Sequence, residues 1–596
     1  MAVINDLKRR RWRRGLLRRQ RDAVELGQQA DQQIEKLLLR RFDRLLTVKR
    51  FVLLWVLLFI LLLIVTVLQT RALSSHYQSL QPEAGGIYTE GLIGKFTNAN
   101  PIYAASAADR AISRLVFSSL LKYDSANQLV GDLAETWSQG PAQTHYTVKL
   151  KQNIKWHDGQ PFSADDVVFT YNTIKNIQSQ SPLYNSWKDI NVSKVDDLNI
   201  SFDLPSALSA FPYTMTNGVL PEHLLKQVPP AELRSASFNI EPVGTGPYEW
   251  NFFEAIGTPG KDLQQRISLA SFGNYHTGQP KLDGFNLTTF NDEQQAIAAF
   301  KKKQVNGLAG LEAVPLEITK DKTVQVYATP LTTAVMAFFN TSRPALNDLN
   351  VRRALVNGVE RSQFVSFGGN STKLVDSPLL RGQLGYDPAI IQSPFDQARA
   401  NQLLDGVGWV RGADGYRMRA GQLLQLNLRS QNTHHYTLAA QYLQLQWGQI
   451  GVKVDVQYYE GDELQGSVVA NHDYDILVYA VNIGVDPDVF AYWHSSQASI
   501  SSQGHLNLSE YKSAAADQAL EGGRSRSDPS LRAVKYKPFL SAWITDAPAL
   551  ALYQPNFLYI TRGPVFGYER KALNTPSDRY SNVDQWMIRQ SRQTLD

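Results

Sequence analysis

A few groups of residues have types and spacings that could do chemistry. Asp486-Pro487-Asp488 places two carboxylates close enough for acid–base work. The order Asp-Pro-Asp also favours a turn that starts a following helix, and that reading needs no reaction. His434-His435 offers two imidazoles for a metal, but adjacent side chains leave a strand or helix in different directions. The pair therefore reads as solvated loop or cleft wall. Gly244-Thr245-Gly246 has the first glycines of a dinucleotide turn. Glu249 fills the third glycine's place, and Pro247 sits where the helix would begin, so the segment reads as a structural turn. Gly91 to Lys95 holds a Gly-Lys pair without Walker spacing. There is no GxSxG elbow and no HExxH pair. The 596 residues include no cysteine, which excludes a structural disulfide, a Cys-ligated zinc and a Cys nucleophile. No catalytic residue, metal or cofactor is expected, and the chain is not expected to be an enzyme.

The elements that position such groups show best between Tyr146 and Val167, YTVKLKQNIKWHDGQPFSADDV. From His145 to His157 apolar residues nearly alternate with polar ones, as in a half-buried strand. Asp158-Gly159 is a turn dipeptide. Ser163 with Asp166 makes a capping box for a helix from about Ala164 to about Asn176. Turn, cap and solvated face account for His157, Asp158, Asp165 and Asp166.

Charge is unevenly spread. Residues 1–50 hold 15 Lys and Arg against 6 Asp and Glu, which is +9 and leaves −4 on the rest of a chain of net +5. Residues 18–48 carry Ile34, Leu37, Leu38, Phe42 and Leu45 at helical spacing. The basic arm suits topology and anionic headgroups, and no nucleic-acid role is expected. Phe51 to Leu68 is uncharged and covers about 27 Å as a helix, close to the hydrocarbon thickness of a bilayer. Its length and the long basic region before it favour an uncleaved anchor over a signal peptide. Lys49 and Arg50 place the N-terminus in the cytoplasm and the remainder outside.

The outer region mixes helices and strands. A helical pattern from Leu438 to Ile450 stops at Gly451. Val452, Val454 and Val456 then alternate, and Tyr474 to Val481 reads as a strand covered on both faces. With the segment at 146–167, these motifs in order resemble the family 5 (peptide/nickel type, cluster C) extracytoplasmic solute-binding proteins of ABC transporters: Asn98 to Asp124, Leu133 to Trp137, Val243 to Tyr248, Phe339-Asn340-Thr341 with Val351 to Leu355, and Asp475 to Trp493.

The resemblance implies an α/β (mixed α+β), bilobed periplasmic-binding-protein-like fold of the large type, with an extra inserted subdomain and one N-terminal transmembrane helix. The expected division is a cytoplasmic arm at 1–50, an anchor at 51–70 and a linker at 71–86. Lobe one would be 87–128, 241–330 and 552–596, the inserted subdomain 129–240, and lobe two 331–551. The implied function is capture of oligopeptides between the lobes and delivery to ABC permease subunits. Two alternatives stay open: a sensing receptor of the same fold without transport, and a binder of a sugar or metal chelate. The implied ligand contacts are Ile102, Tyr103, Ala105 and Ser106 in the first lobe. In the second they are Tyr479, Ala480, Val481, Asn482 and Ile483, with Trp493 and His494 as a wall or as lobe packing. Many relatives place an aspartate three residues before the Asp-Pro-Asp turn to hold the ligand's amino group. Here that place is Ile483, beside Asn482, and neither carries charge. Glu460, Asp462 and Asp475 are the nearest acidic candidates in sequence.

Overall fold

The computed structural model describes Val24 and residues 49–258, 263–367, 373–502 and 506–594. The helix expected within 18–48 lies outside the described residues. The chain forms two compact units, one of residues 1–81 with 590–596 and one of Pro82–Arg589.

In the first unit, helix Lys49–Tyr77 contains a 23-residue apolar span, Arg50–Ala72. Thr66 and Thr70 return their hydroxyls to the carbonyls of Leu62 (2.7 Å) and Val67 (3.0 Å), so the helix satisfies its own polar groups as lipid requires. The expected linker at 71–86 is structured instead. No Gly or Pro interrupts the sequence between Arg71 and Pro82, so the helix continues past its apolar stretch to Tyr77. Strand Gln78–Glu83 follows and pairs with Arg589–Thr594.

The second unit is built on two mixed sheets. The seven-stranded sheet runs Val324–Pro330, Asn556–Arg562, Gly307–Ala309, Ile87–Ile93, Gly284–Phe290, Gln264–Ser271, Tyr248–Ile256. The six-stranded sheet runs Lys373–Leu374, Ala549–Gln554, Thr333–Phe339, Ile476–Asn482, Gln425–Gln431, Lys453–Tyr459. Thr333–Phe339 shows why the second sheet is central. Val335, Ala337 and Phe339 pack on one face with Leu428 and Trp447, while Ala334, Met336 and Phe338 pack on the other with Leu477 and Trp493. Period-two side-chain direction with apolar residues in both registers buries both faces. A four-stranded antiparallel sheet, Ala134–Gln139, His145–Leu150, Asn199–Asp203, Asn191–Asp196, shares its core with the first sheet.

The chain crosses between the two large sheets at Leu331-Thr332 and at Pro555. The crossings lie side by side: Leu331 N–H donates to the Pro555 carbonyl (3.0 Å), and Gln554 Nε2 donates to the Leu331 carbonyl (2.7 Å). Strand Ala549–Gln554 belongs to the six-stranded sheet, which moves the second expected lobe boundary from 552 to Pro555.

Two details correct the reading of residues 145–167. The strand ends at Leu150, because Asn153 adopts a left-handed φ of 61° and breaks the extended run. Ile154 and Trp156 are buried nonetheless. His157 is no solvated residue: it closes against the Gly244–Gly246 turn. That turn needs its glycines, since a Cβ on Gly244 would lie 1.9 Å from the Val116 carbonyl oxygen. The Asp-Gly turn and the capping box are as expected, with Gly159 at φ 86° and Ser163 and Asp166 bonded reciprocally ahead of helix Ala164–Lys175.

Candidate functional site

The second lobe offers an open strand edge. Strand Ile476–Asn482 pairs along its whole length with Thr333–Phe339, but its pairing with Gln425–Gln431 stops at Ser430↔Val478. Ile483 N–H donates to the Thr332 carbonyl, and Asn340 N–H to the Asp475 carbonyl. Both bonds put the odd-numbered residues toward Thr333–Phe339, so Ala480 and Asn482 aim their main-chain groups the other way. Beside that edge Tyr492 donates its hydroxyl to the Asn482 carbonyl (2.9 Å), and Gln465 bonds the Tyr479 hydroxyl. Burial, with Tyr479 close by, pushes the Tyr492 hydroxyl up to about 12, so it stays a donor.

The other expected contacts divide. Residues 102–106 form a turn ahead of helix Ala107–Val116 rather than a strand edge. The Ile102 carbonyl is taken by Ser181 (3.0 Å), and the Tyr103 hydroxyl donates to the Ser179 carbonyl (2.7 Å). Ser106 is the N-cap of that helix and donates to the Lys95 carbonyl, and Ala105 is exposed. Trp493 is 0% exposed, stacked on Phe338 and edge-on to Trp543. It is lobe packing and cannot reach a ligand. His494 is likewise buried, stacked on Phe490 and facing Glu521 (3.3 Å) and Asp517 (3.7 Å).

The position of the missing aspartate is now defined. Ile483 is buried in the second lobe's core. The Asn482 side chain accepts from Gly484 N–H (3.0 Å) and the Thr332 hydroxyl (3.2 Å), and donates to the Asn574 carbonyl (3.1 Å). It ties the strand end to a crossing segment and to the C-terminal segment. The acidic candidates bond other groups or face solvent. Asp475 sits at the opposite end of the strand, bonded to Asn427. Glu460 accepts from Asn432, and Asp462 is exposed.

Two cavities adjoin these elements. One, of about 750 Å³, lies between Trp137, Tyr146 and Tyr213 on one side and Arg381, Val485 and Asp486 on the other. Asp486 is no general base there, because Arg532 holds both its oxygens at 2.7 Å. Burial raises the Asp488 pKa against the opposing pull of Arg524, 3.0 Å away. The second, of about 320 Å³, lies between Ile102, Arg110 and Arg114 on one side, Asn217 on another, and Asn574, Thr575, Ser577 and Asp578.

The lobes meet at two further places. Ser209 N–H donates to the Arg524 carbonyl (2.8 Å). His434 and His435 open helix His434–Gln449, where His434 N–H donates to Glu312 Oε2 (2.9 Å) and the His435 ring lies 2.6 Å from the Glu312 carbonyl. The pair is thus cleft wall. Among the described residues no group of three or more His, Asp or Glu is placed to hold a metal ion. Sequence reasoning missed Glu312 and Asn574, whose contacts reach across the two lobes; no local pattern marks either residue.

Comparison with known proteins agrees with this architecture. The oligopeptide-binding protein AppA of Bacillus subtilis is 26% identical over 519 residues, which covers 85% of this chain and 92% of that one. The structure of Bacillus subtilis AppA with a nonapeptide matches with a TM-score of 0.70 at 25% identity, covering 85% of this chain and all of that one. The structure of NikZ from Campylobacter jejuni with Ni(L-His) matches with a TM-score of 0.72 at 24% identity, covering 84% and 99%. Residues 128–502 match the family described as "Bacterial extracellular solute-binding proteins, family 5 Middle". With more than half its length matched and the two-sheet, two-crossing architecture in place, this chain belongs to the family 5 bacterial extracellular solute-binding proteins.

Proposed function

We propose that the protein is the membrane-anchored substrate-binding component of an ABC importer, that it captures oligopeptides between its lobes, and that it hands them to permease subunits. The observation that carries this is the open edge from Tyr479 to Asn482. An extended ligand added there would gain main-chain bonds from Ala480 without any dependence on its own sequence. Relatives that are oligopeptide- and dipeptide-binding proteins support the ligand class. The lobes would be 87–128, 241–330 and the chain from Pro555 for the first, 331–554 for the second, with 129–240 inserted in the first. The Phe51–Leu68 segment would anchor the chain with the basic arm in the cytoplasm.

Closure would be a hinge motion at Leu331-Thr332 and Pro555, stabilised by contacts made only in the closed state. A ligand that binds the folded state raises the melting temperature by mass action. Thermal-shift assays of the full chain in detergent against peptide pools, with mass spectrometry of what co-purifies, test this. Stabilisation by peptides is expected. Stabilisation only by sugars or metal chelates would overturn the ligand class.

A further inference from the structure

The open edge of strand Ile476–Asn482 is short, and the fold closes it at both ends. At one end, Gln425–Gln431 stops pairing with it after Ser430↔Val478 but stays with Lys453–Tyr459 as far as Gln431↔Tyr459, so the neighbouring strand turns away there. Main-chain groups of Ala480 and Asn482 then face the gap. An added strand would bond every second residue of this edge through its N–H and its carbonyl. No strand pairing uses those groups of Ala480 on this side, but the Asn482 carbonyl already accepts the Tyr492 hydroxyl (2.9 Å). The next residue in this register, Gly484, is fully engaged: its N–H meets the Asn482 side chain (3.0 Å) and its carbonyl accepts from Gln383 (2.7 Å). Tyr492 is firmly placed. It lies on the short helix Phe490–Trp493, where Trp493 packs on Phe338 and Trp543, and Arg532 grips the preceding turn through both oxygens of Asp486. Burial raises the Tyr492 pKa, so its hydroxyl keeps its proton at neutral pH.

We propose that Tyr492 is a specificity-determining residue: by capping the Asn482 carbonyl it confines the ligand's main-chain pairing to Ala480 and turns the cleft toward short peptides. The inference rests on reading the cleft as a peptide site and names the length that site selects. One paired residue with a neighbour on either side makes a window of about three residues. A longer ligand gains no strand bond from its further residues, yet each one that is ordered loses conformational freedom. To pair with Asn482 the ligand would have to displace Tyr492, which breaks one neutral hydrogen bond for each one made. Removing the hydroxyl alone, as in Tyr492→Phe, keeps the ring and opens the carbonyl to the ligand.

The test is Kd measurement on the full chain in detergent with randomised peptide pools of two, three, four and five residues. On the unaltered protein, affinity is expected to rise from two residues to three and then to stay within about twofold. In Tyr492→Phe the five-residue pool should gain about fivefold relative to the three-residue pool, the contribution of one neutral hydrogen bond. An N-methyl scan of the five-residue pool reads that bond directly: the variant should become sensitive at one more amide position than the unaltered protein. A merely structural role for Tyr492 would shift the melting temperature and leave both readouts where they were. The length series on the unaltered protein needs no substitution, so misfolding of the variant cannot mask the result. A steady gain in affinity with each added residue on the unaltered protein, or an unchanged length dependence and N-methyl pattern in a folded Tyr492→Phe, overturns the cap and leaves the peptide reading standing. Binding of no pool overturns both.

Discussion

The imidazole of His157 accepts from Gly244 N–H at Nδ1 (3.2 Å) and reaches the Gly246 carbonyl through Nε2 (3.0 Å). Since a carbonyl only accepts and an N–H only donates, both bonds exist in one neutral tautomer. A second ring proton would face the Gly244 N–H. Burial accordingly lowers the His157 pKa to about 4, against the weaker pulls of Gly246 and Asp158. The unfolded chain titrates near pH 6.5, so it binds more protons than the folded chain as pH falls between about 6.5 and 4. The stability His157 contributes is therefore full above pH 6.5 and lost toward pH 4. Between pH 7 and pH 5 that loss is about 2 kcal/mol, and denaturant titrations should show it shrinking in His157→Gln. Asp486 gives a second prediction at this scale. Asp486→Asn leaves Arg532 buried beside a neutral group and should destabilise the protein by roughly 3 kcal/mol, read from urea unfolding.

Helix His434–Gln449 has an N-cap, Thr433, whose side chain makes no capping bond. Its first turn is served instead by Glu312, from the chain of the seven-stranded sheet. A carboxylate at a helix start is stabilising through hydrogen bonding and the helix dipole, by about 1 kcal/mol. Because donor and acceptor belong to different sheets, the contact would be lost if the two sheets moved apart. Glu312→Ala should weaken ligand binding by about fivefold through faster release, with little change in the melting temperature without ligand. Stopped-flow release of a bound peptide measures it. A drop in ligand-free stability with unchanged release would show that the contact does not report closure. This element also marks where the sequence stops being legible. The helix itself, the stop at Gly451, the strand after it and the capping box at Ser163 are local patterns, and each stands in the structure. The Glu312 contact joins residues 122 positions apart and has no local signature. The open edge is similar: the residues of strand Ile476–Asn482 are plain in the sequence, but that its neighbour stops pairing at Ser430 depends on register. Trp493 stayed open in the sequence for the opposite reason, since an aromatic after the Asp-Pro-Asp turn fits a cleft wall and a core equally well until Phe338 and Trp543 are found around it.

At the scale of the molecule, Pro82–Arg589 contains both large sheets, both crossings, the two cavities and every expected contact residue. Gly85 N–H bonds the Lys281 carbonyl (2.6 Å) and Gly86 N–H bonds Asp283 (2.7 Å), so the start of this unit is held by its own residues. The net positive charge of the whole chain comes from residues 1–50, outside it. These facts predict that binding is separable from anchoring. A chain of residues 82–589 should be recovered without detergent and bind the same ligand with Kd within about threefold of the full chain, since none of the expected contact residues has been removed. The full chain should partition with membranes, and replacing Leu57, Leu61 and Ile64 together by Lys should release it, because charges at the centre of an apolar helix cost about 3 kcal/mol each on insertion. Loss of ligand binding in the 82–589 chain, with its folding intact by circular dichroism, would show that binding depends on the apolar helix or on the strand pair Gln78–Glu83 with Arg589–Thr594.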